Sequence, residues 1–267
     1  MASASVVRIV VPDDDPAALR GTEVEERLGS IGELVIHDSL AASPSELAAR
    51  LKDANVAINI RSSSPFTVEV LSACRHLQHI AVLGVGVDNV DVEACLEKGV
   101  LVTNTPGHST DAVAEHAIAL ALAVARRLTE NDRAVRGGEW ARHPIIQLSG
   151  KILGVIGAGP IGRRMAVLGQ ALGMKVVAWT FNPTMQRTEA MGVPFVALDE
   201  LMAISDVVSL HLPISDKSRG LIDANKLSLM KSDAILVNTA RGAIVDERAL
   251  AGMLQRGEIR GAGLDAY

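Results

Sequence analysis

Short apolar runs alternate with segments of helical period along the whole chain, the signature of βαβ units and parallel sheets. In the first third the strand-like runs are Val6–Val11, Leu34–His37, Val56–Ile60, Ile80–Leu83 and Val100–Thr103. Helices are expected at Ser45–Asp53, Val68–Arg75 and Val92–Lys98, with Ser43 and Ser45 as caps and Gly99 as the terminating residue. A long helix is expected from Thr110 to Leu128. It is apolar on nearly every face from Ala112 to Ala125, which predicts burial between domains or in a subunit interface. Asn131–Gly150, with Gly137-Gly138 and Pro144, reads as a connection. A second series follows, with strands at Ile152–Ile156, Val176–Thr180, Phe195–Val196, Val207–His211, Ile235–Asn238 and Gly261–Leu264. The helices between them are Ile161–Leu172, Asp199–Ile204, Ala224–Met230 and Asp246–Arg256. Six strands in that rhythm make a doubly wound sheet. The fold class is therefore α/β, built of parallel sheets in two successive series of strands. Hydrophobic residues at 48% with only 2% aromatics agree, since the core must be aliphatic.

Composition also excludes partners. A formal charge of −5 and a pI near 5.8, with no basic block, argue against nucleic acid and anionic membrane. No run is long enough to span a bilayer, and Met1-Ala2-Ser3-Ala4-Ser5-Val6 lacks the basic start of a secretion signal. Cys74 and Cys95 have no metal spacing and read as buried thiols of a reducing cytoplasm. Asp13-Asp14-Asp15 reads as a solvated loop, so no metal site is expected.

The sharpest local signal is Gly157-Ala158-Gly159-Pro160-Ile161-Gly162, after one apolar run and opening a helix. Gly157 permits the tight turn, Gly159 lets a pyrophosphate approach the backbone, and Gly162 lets the helix lie close to the sheet. Free N–H groups at the helix start would bind the anion. This predicts a dinucleotide site. An acidic residue that would hold the ribose hydroxyls is expected about 20 residues on. Thr180 stands there instead (180 − 162 = 18), with Asn182 and Arg187 nearby. A neutral residue does not repel a 2′-phosphate, so NAD and NADP both stay open.

Read beside Val237-Asn238-Thr239-Ala240-Arg241-Gly242-Ala243-Ile244-Val245-Asp246-Glu247, that turn resembles the D-isomer-specific 2-hydroxyacid dehydrogenases, which include phosphoglycerate dehydrogenases and glyoxylate/hydroxypyruvate reductases. Gly84–Asp91, Thr103–Gly107, Ala114-Glu115-His116, His211-Leu212-Pro213 and Gly261–Asp265 match as well. The resemblance implies two doubly wound parallel-sheet domains, residues 1–104 and 105–267, the second a Rossmann NAD(P)-binding domain. It also implies that the first domain binds substrate, that the active site lies in a cleft, and that the long helix builds a homodimer. It implies a hydride exchange between NAD(P) and a small 2-oxo or 2-hydroxy acid. Arg241 matches the arginine that holds the substrate carboxylate and polarises the keto oxygen. Val85 and Gly86 match the loop whose amides receive that carboxylate. Asp265 matches a contact to the nicotinamide carboxamide. Leu212, Pro213, Thr239 and Ala240 match the cofactor wall, and Pro160 and Ile161 match contacts to the pyrophosphate. Asn104 resembles a hinge residue near the nicotinamide, and Arg61 sits where the substrate domain could meet the ligand.

The family's catalytic glutamate and histidine would fall beyond Tyr267. They are absent from these 267 residues. A cationic histidine protonates the developing alkoxide, and its loss costs on the order of 10²–10⁴ in rate. Among the seven histidines, His108 could approach the cleft, His116 reads as structural, and His211 belongs beside the cofactor wall. Two expectations compete: a piece of an ordinary C-terminally truncated dehydrogenase, or a short form that binds and turns over poorly. The alternative function is a non-catalytic dinucleotide sensor or partner-binding protein.

Overall fold

The computed structural model describes residues 6–60 and 63–266. The chain divides into two compact units, Met1–Ser109 and Thr110–Tyr267. The division falls a little beyond the expected 104/105 boundary, because the turn at residues 106–109 stays with the first unit.

In the first unit the strands are β1 (Arg8–Val11), β2 (Glu33–Ile36), β3 (Val56–Asn59), β4 (His79–Val82) and β5 (Leu101–Thr103). They form one parallel sheet in the order β2-β1-β3-β4-β5. Four helices intervene: α1 (Glu23–Ile31), α2 (Pro44–Leu51), α3 (Val68–Ala73) and α4 (Val92–Glu97). The side chains of Ser43, Thr67 and Asp91 cap the last three by accepting backbone N–H bonds. Helix α1 buries no residue, which is why its apolar pattern is too faint to find in sequence. Asp13 and Asp14 are buried, against the expectation of a solvated loop. The Asp14 carboxylate accepts the N–H groups of Ala18, Leu19 and Arg20, and Asp13 accepts from Asp15 and Ser63. A carboxylate so wrapped in amide donors meets its desolvation cost locally.

The second unit begins with α5 (Thr110–Arg126) and α6 (Leu128–Arg136). Arg127, in the left-handed region at φ 51°, separates them, so the long helix ends before Leu128. Helix α6 occupies the start of what sequence reads as a connection; it too buries nothing. The rest is β6 (Ile152–Ile156), α7 (Pro160–Ala171), β7 (Lys175–Trp179), α8 (Met185–Met191), α9 (Leu198–Ile204), β8 (Val207–Leu210), α10 (Ala224–Ser228), β9 (Ile235–Asn238), α11 (Glu247–Arg256) and β10 (Gly261–Leu264). The five strands are parallel, in the order β10-β9-β8-β6-β7. The sixth expected strand, Phe195–Val196, shrinks to a bridge beside Ala178, with Ala178 N–H bonded to Pro194 and Val196 N–H to Ala178. Pro194 has no N–H to donate and α9 begins at Leu198, so nothing longer fits. Counting that bridge, the layout is 3-2-1-4-5-6, with order reversing between β6 and β8. Ligands bind outside the carboxyl ends of strands at that point.

Only one stripe of α5 is fully buried: Ala114, Ala117, Ala121 and Ala125, the last three packed with Leu153, Val155, Met165 and Ala166. Ile118, Leu120, Leu122 and Val124 are partly covered, so within one chain the helix is not buried all round.

Asp206, at the start of β8, ties the opposite end of the sheet. Its carboxylate accepts the Ile152 N–H at 2.7 Å and the Lys231 ammonium at 3.0 Å, with Lys151 at 3.8 Å. Burial alone raises its pKa, but the amide and the two lysines more than offset that and hold it below the usual carboxylate value. A depressed folded-state pKa gives stability present above the unfolded pKa of about 3.9 and lost as pH falls through the folded value. Asp206→Asn should therefore cost about 1.5–3 kcal/mol at neutral pH. Thermal unfolding of the two proteins should converge at acid pH; a constant gap would show that the charge is not responsible.

Candidate active site

Strand β6 ends in the turn Gly157–Gly159, and the two outer glycines of the fingerprint are demanded by the protein itself. Gly157 has φ 114°, and a Cβ there would run into the His211 carbonyl. A Cβ on Gly162 would collide with the Gly157 carbonyl. Gly159 differs. Its φ of −75° is ordinary, and a Cβ built on it meets nothing within 4 Å. No protein contact requires glycine at 159, so the open space over that backbone is a cradle that a side chain would fill. Pro160 is the first residue of α7, with no side chain capping the helix start. Pro160 has no N–H, so the donors here come from Ile161 and Gly162, whose amides have no partner within the helix. These features fit a pyrophosphate.

Around this turn the neighbouring strand ends close in. The Gly157 N–H donates to Trp179 at 2.8 Å, fixing the end of β7 beside it. Thr180 follows, 8% exposed and neutral. His211 follows β8, and its Nε2 lies 2.9 Å from the Oγ of fully buried Ser209. Burial pushes the His211 pKa down to about 4, so the ring is neutral at neutral pH. Leu212 is buried and Pro213 exposed, its carbonyl held by the hydroxyl of buried Ser218 at 2.7 Å. This wall is apolar and braced from behind.

The third part is the turn after β9. Thr239, Ala240 and Arg241 are half-buried, and the Thr239 Oγ1 is buried without a hydrogen-bond partner among the described residues. This hydroxyl, at the carboxyl end of β9, is available to a polar ligand. The Arg241 Nη1 donates to the Ala240 carbonyl at 2.7 Å. Sequence reasoning missed the residue that holds this turn. Asn238, 1% exposed, accepts the Ala240 N–H through Oδ1 at 3.0 Å and donates from Nδ2 to the Arg241 carbonyl at 2.9 Å. Its own carbonyl accepts the Asp265 N–H at 3.0 Å. Asn238 thus ties the Arg241 turn through its side-chain amide and Asp265 through its main-chain carbonyl. The available signal was an Asn closing a strand that is otherwise Ile-Leu-Val. The exposed Asp265 has its Oδ1 3.3 Å from His116 Nε2, so His116 is an exposed partner of that aspartate.

In the first unit the loop after β4 carries Val85 and Gly86. Its Gly84 carbonyl accepts from Thr105 N–H and its Val85 carbonyl from the Asn104 amide at 2.8 Å. Among the described residues, no group takes the N–H of Val85 or Gly86. Asn104 pins this loop, and His108 Nδ1 bonds the Thr105 carbonyl within the same unit. Arg61 lies outside the described residues.

Both cysteines are free and buried, as their pattern predicts; burial pushes the Cys74 thiol up to about 11. No helix among the described residues is long and apolar enough to cross a membrane.

Comparisons with known proteins agree with this geometry. Residues 118–267 match the family described as D-isomer specific 2-hydroxyacid dehydrogenase, NAD binding domain. The chain is 39% identical to a glyoxylate reductase of Aeropyrum pernix, over 92% of this chain and 76% of that protein. It is 43% identical to a D-3-phosphoglycerate dehydrogenase of Archaeoglobus fulgidus, over 79% of this chain but 40% of that longer protein. A D-lactate dehydrogenase from Aquifex aeolicus, solved with NAD and lactic acid, superposes with a TM-score of 0.83 at 34% identity, over 98% of this chain and 77% of that one. The chain belongs to the D-isomer specific 2-hydroxyacid dehydrogenase family of oxidoreductases, and it carries that family's NAD-binding domain.

Proposed function

We propose that the protein is a cytoplasmic oxidoreductase that interconverts a small 2-oxoacid and its D-2-hydroxy acid at the expense of NAD(P)H. The cradle over Gly159 carries this reading: it is open, lies at the start of a helix, and is flanked by strand ends from the switch point of the sheet. Ile161 and Gly162 offer amides to the pyrophosphate. Leu212, Pro213, Thr239 and Ala240 wall the dinucleotide, and Asp265 accepts from its carboxamide. Bound there, the reduced nicotinamide supplies a hydride to the substrate carbonyl. Arg241 holds the substrate carboxylate and polarises the keto oxygen, since a guanidinium fork matches a planar carboxylate with two parallel bonds. Val85 and Gly86 present the kind of paired amides that receive a carboxylate. The apolar flanks of α5, half-covered in one chain, support assembly as a homodimer.

Titration of the purified chain with NADH and NADPH, read by nicotinamide fluorescence, should saturate. Addition of glyoxylate or hydroxypyruvate should then give oxidation of the reduced cofactor. Saturation without oxidation, even in a version extended to the full length of its relatives, would favour the non-catalytic reading. Failure to bind either dinucleotide would remove the proposal altogether.

A further inference from the structure

We infer that the dinucleotide is the 2′-phosphorylated one, NADPH, and that Arg187 selects it; this rests on the dinucleotide reading above. In a sheet of this order the adenosine ribose lies at the end of the strand that follows the glycine turn. Here that strand is β7, held to Gly157 through Trp179, so the residues beside the ribose are Thr180 onward. A carboxylate there would take both ribose hydroxyls and repel a phosphate. Thr180 is neutral, and the stretch to Thr184 contains no acid.

Arg187 supplies the opposite charge. Its backbone N–H donates to the Thr184 Oγ1, and its Nη1 reaches back to the Asn182 carbonyl at 2.9 Å. The guanidinium is thereby folded onto the loop after β7 and does not extend away along α8. Among the described residues, no carboxylate lies within salt-bridge distance of it. One of its five N–H donors is committed to Asn182, leaving the others for a ligand. A guanidinium fork suits a phosphate better than an ammonium does. Thr180 and Asn182 add a hydroxyl and an amide on the same short loop.

Affinities of NADPH, NADH, 2′,5′-ADP and ADP should be measured by calorimetry on the wild type and on Arg187→Ala. Arg187 is exposed and lies outside the core, so the variant should fold. NADPH should bind the wild type about 10–100-fold more tightly than NADH, and Arg187→Ala should remove most of that margin while leaving NADH within about twofold. 2′,5′-ADP should follow NADPH, and ADP should follow NADH. Equal affinities, or a preference for NADH, overturn the inference while leaving the dinucleotide site intact. A preference for NADPH that survives Arg187→Ala overturns the role of Arg187. Binding of none of the four would overturn the site and this inference with it.

Discussion

Gly159→Asp should leave the protein as stable as the wild type and cost at least about 100-fold in NADH or NADPH affinity. The space a Cβ would enter is empty and the backbone angle is ordinary, so folding has no steric objection. The substituted residue would also stand at the N-cap of α7, where aspartate is among the preferred residues; its carboxylate accepts free helix amides. Unfolding temperature should hold or rise slightly. Binding should fail for the same reason: a carboxylate occupies the position of the pyrophosphate, removing its volume, its donors and its favourable field together. Gly162→Ala is the contrast, because its Cβ collides with the Gly157 carbonyl and the turn itself must move. That variant should lose stability as well as affinity. Calorimetric unfolding and dinucleotide titration on both would separate the two roles; undiminished affinity in Gly159→Asp would show that nothing binds over this turn.

Arg241→Ala should divide the site the other way. Dinucleotide affinity should stay within about twofold. Binding of oxalate to the dinucleotide-saturated protein should fall by about 100-fold or more, since two charge-assisted bonds to one carboxylate are lost. Arg241→Lys should recover only a fraction, because an ammonium restores charge without the fork. Oxidation of reduced cofactor with glyoxylate should fall in parallel. A variant that holds oxalate as tightly as the wild type would rule out Arg241 as the carboxylate residue.

The strands were legible because each is a short, nearly uninterrupted apolar run, and burial on both faces of a parallel sheet demands that. The same demand exposed the glycine turn, which must follow such a run. What sequence hides are elements with nothing to bury. Helices α1 and α6 have no buried residue, and α8 buries only Met191, so no periodicity marks them. Gly137-Gly138 drew attention to a break that comes after α6 has already formed. Asp14 was misread for a related reason: three acids in a row look solvated until the chain turns back and offers its amides to one of them. In the site, Gly157–Gly162 is marked by residue type and spacing and Arg241 by a resemblance, whereas Asn238 shows only as an amide closing an apolar strand. Its importance lies in three partners that only the folded turn and the neighbouring strand bring to it.

Because one interior residue meets the Arg241 turn through its side-chain amide and Asp265 through its main-chain carbonyl, the two ends of this junction share a single anchor. A shift of that residue would carry Arg241 and Asp265 along together.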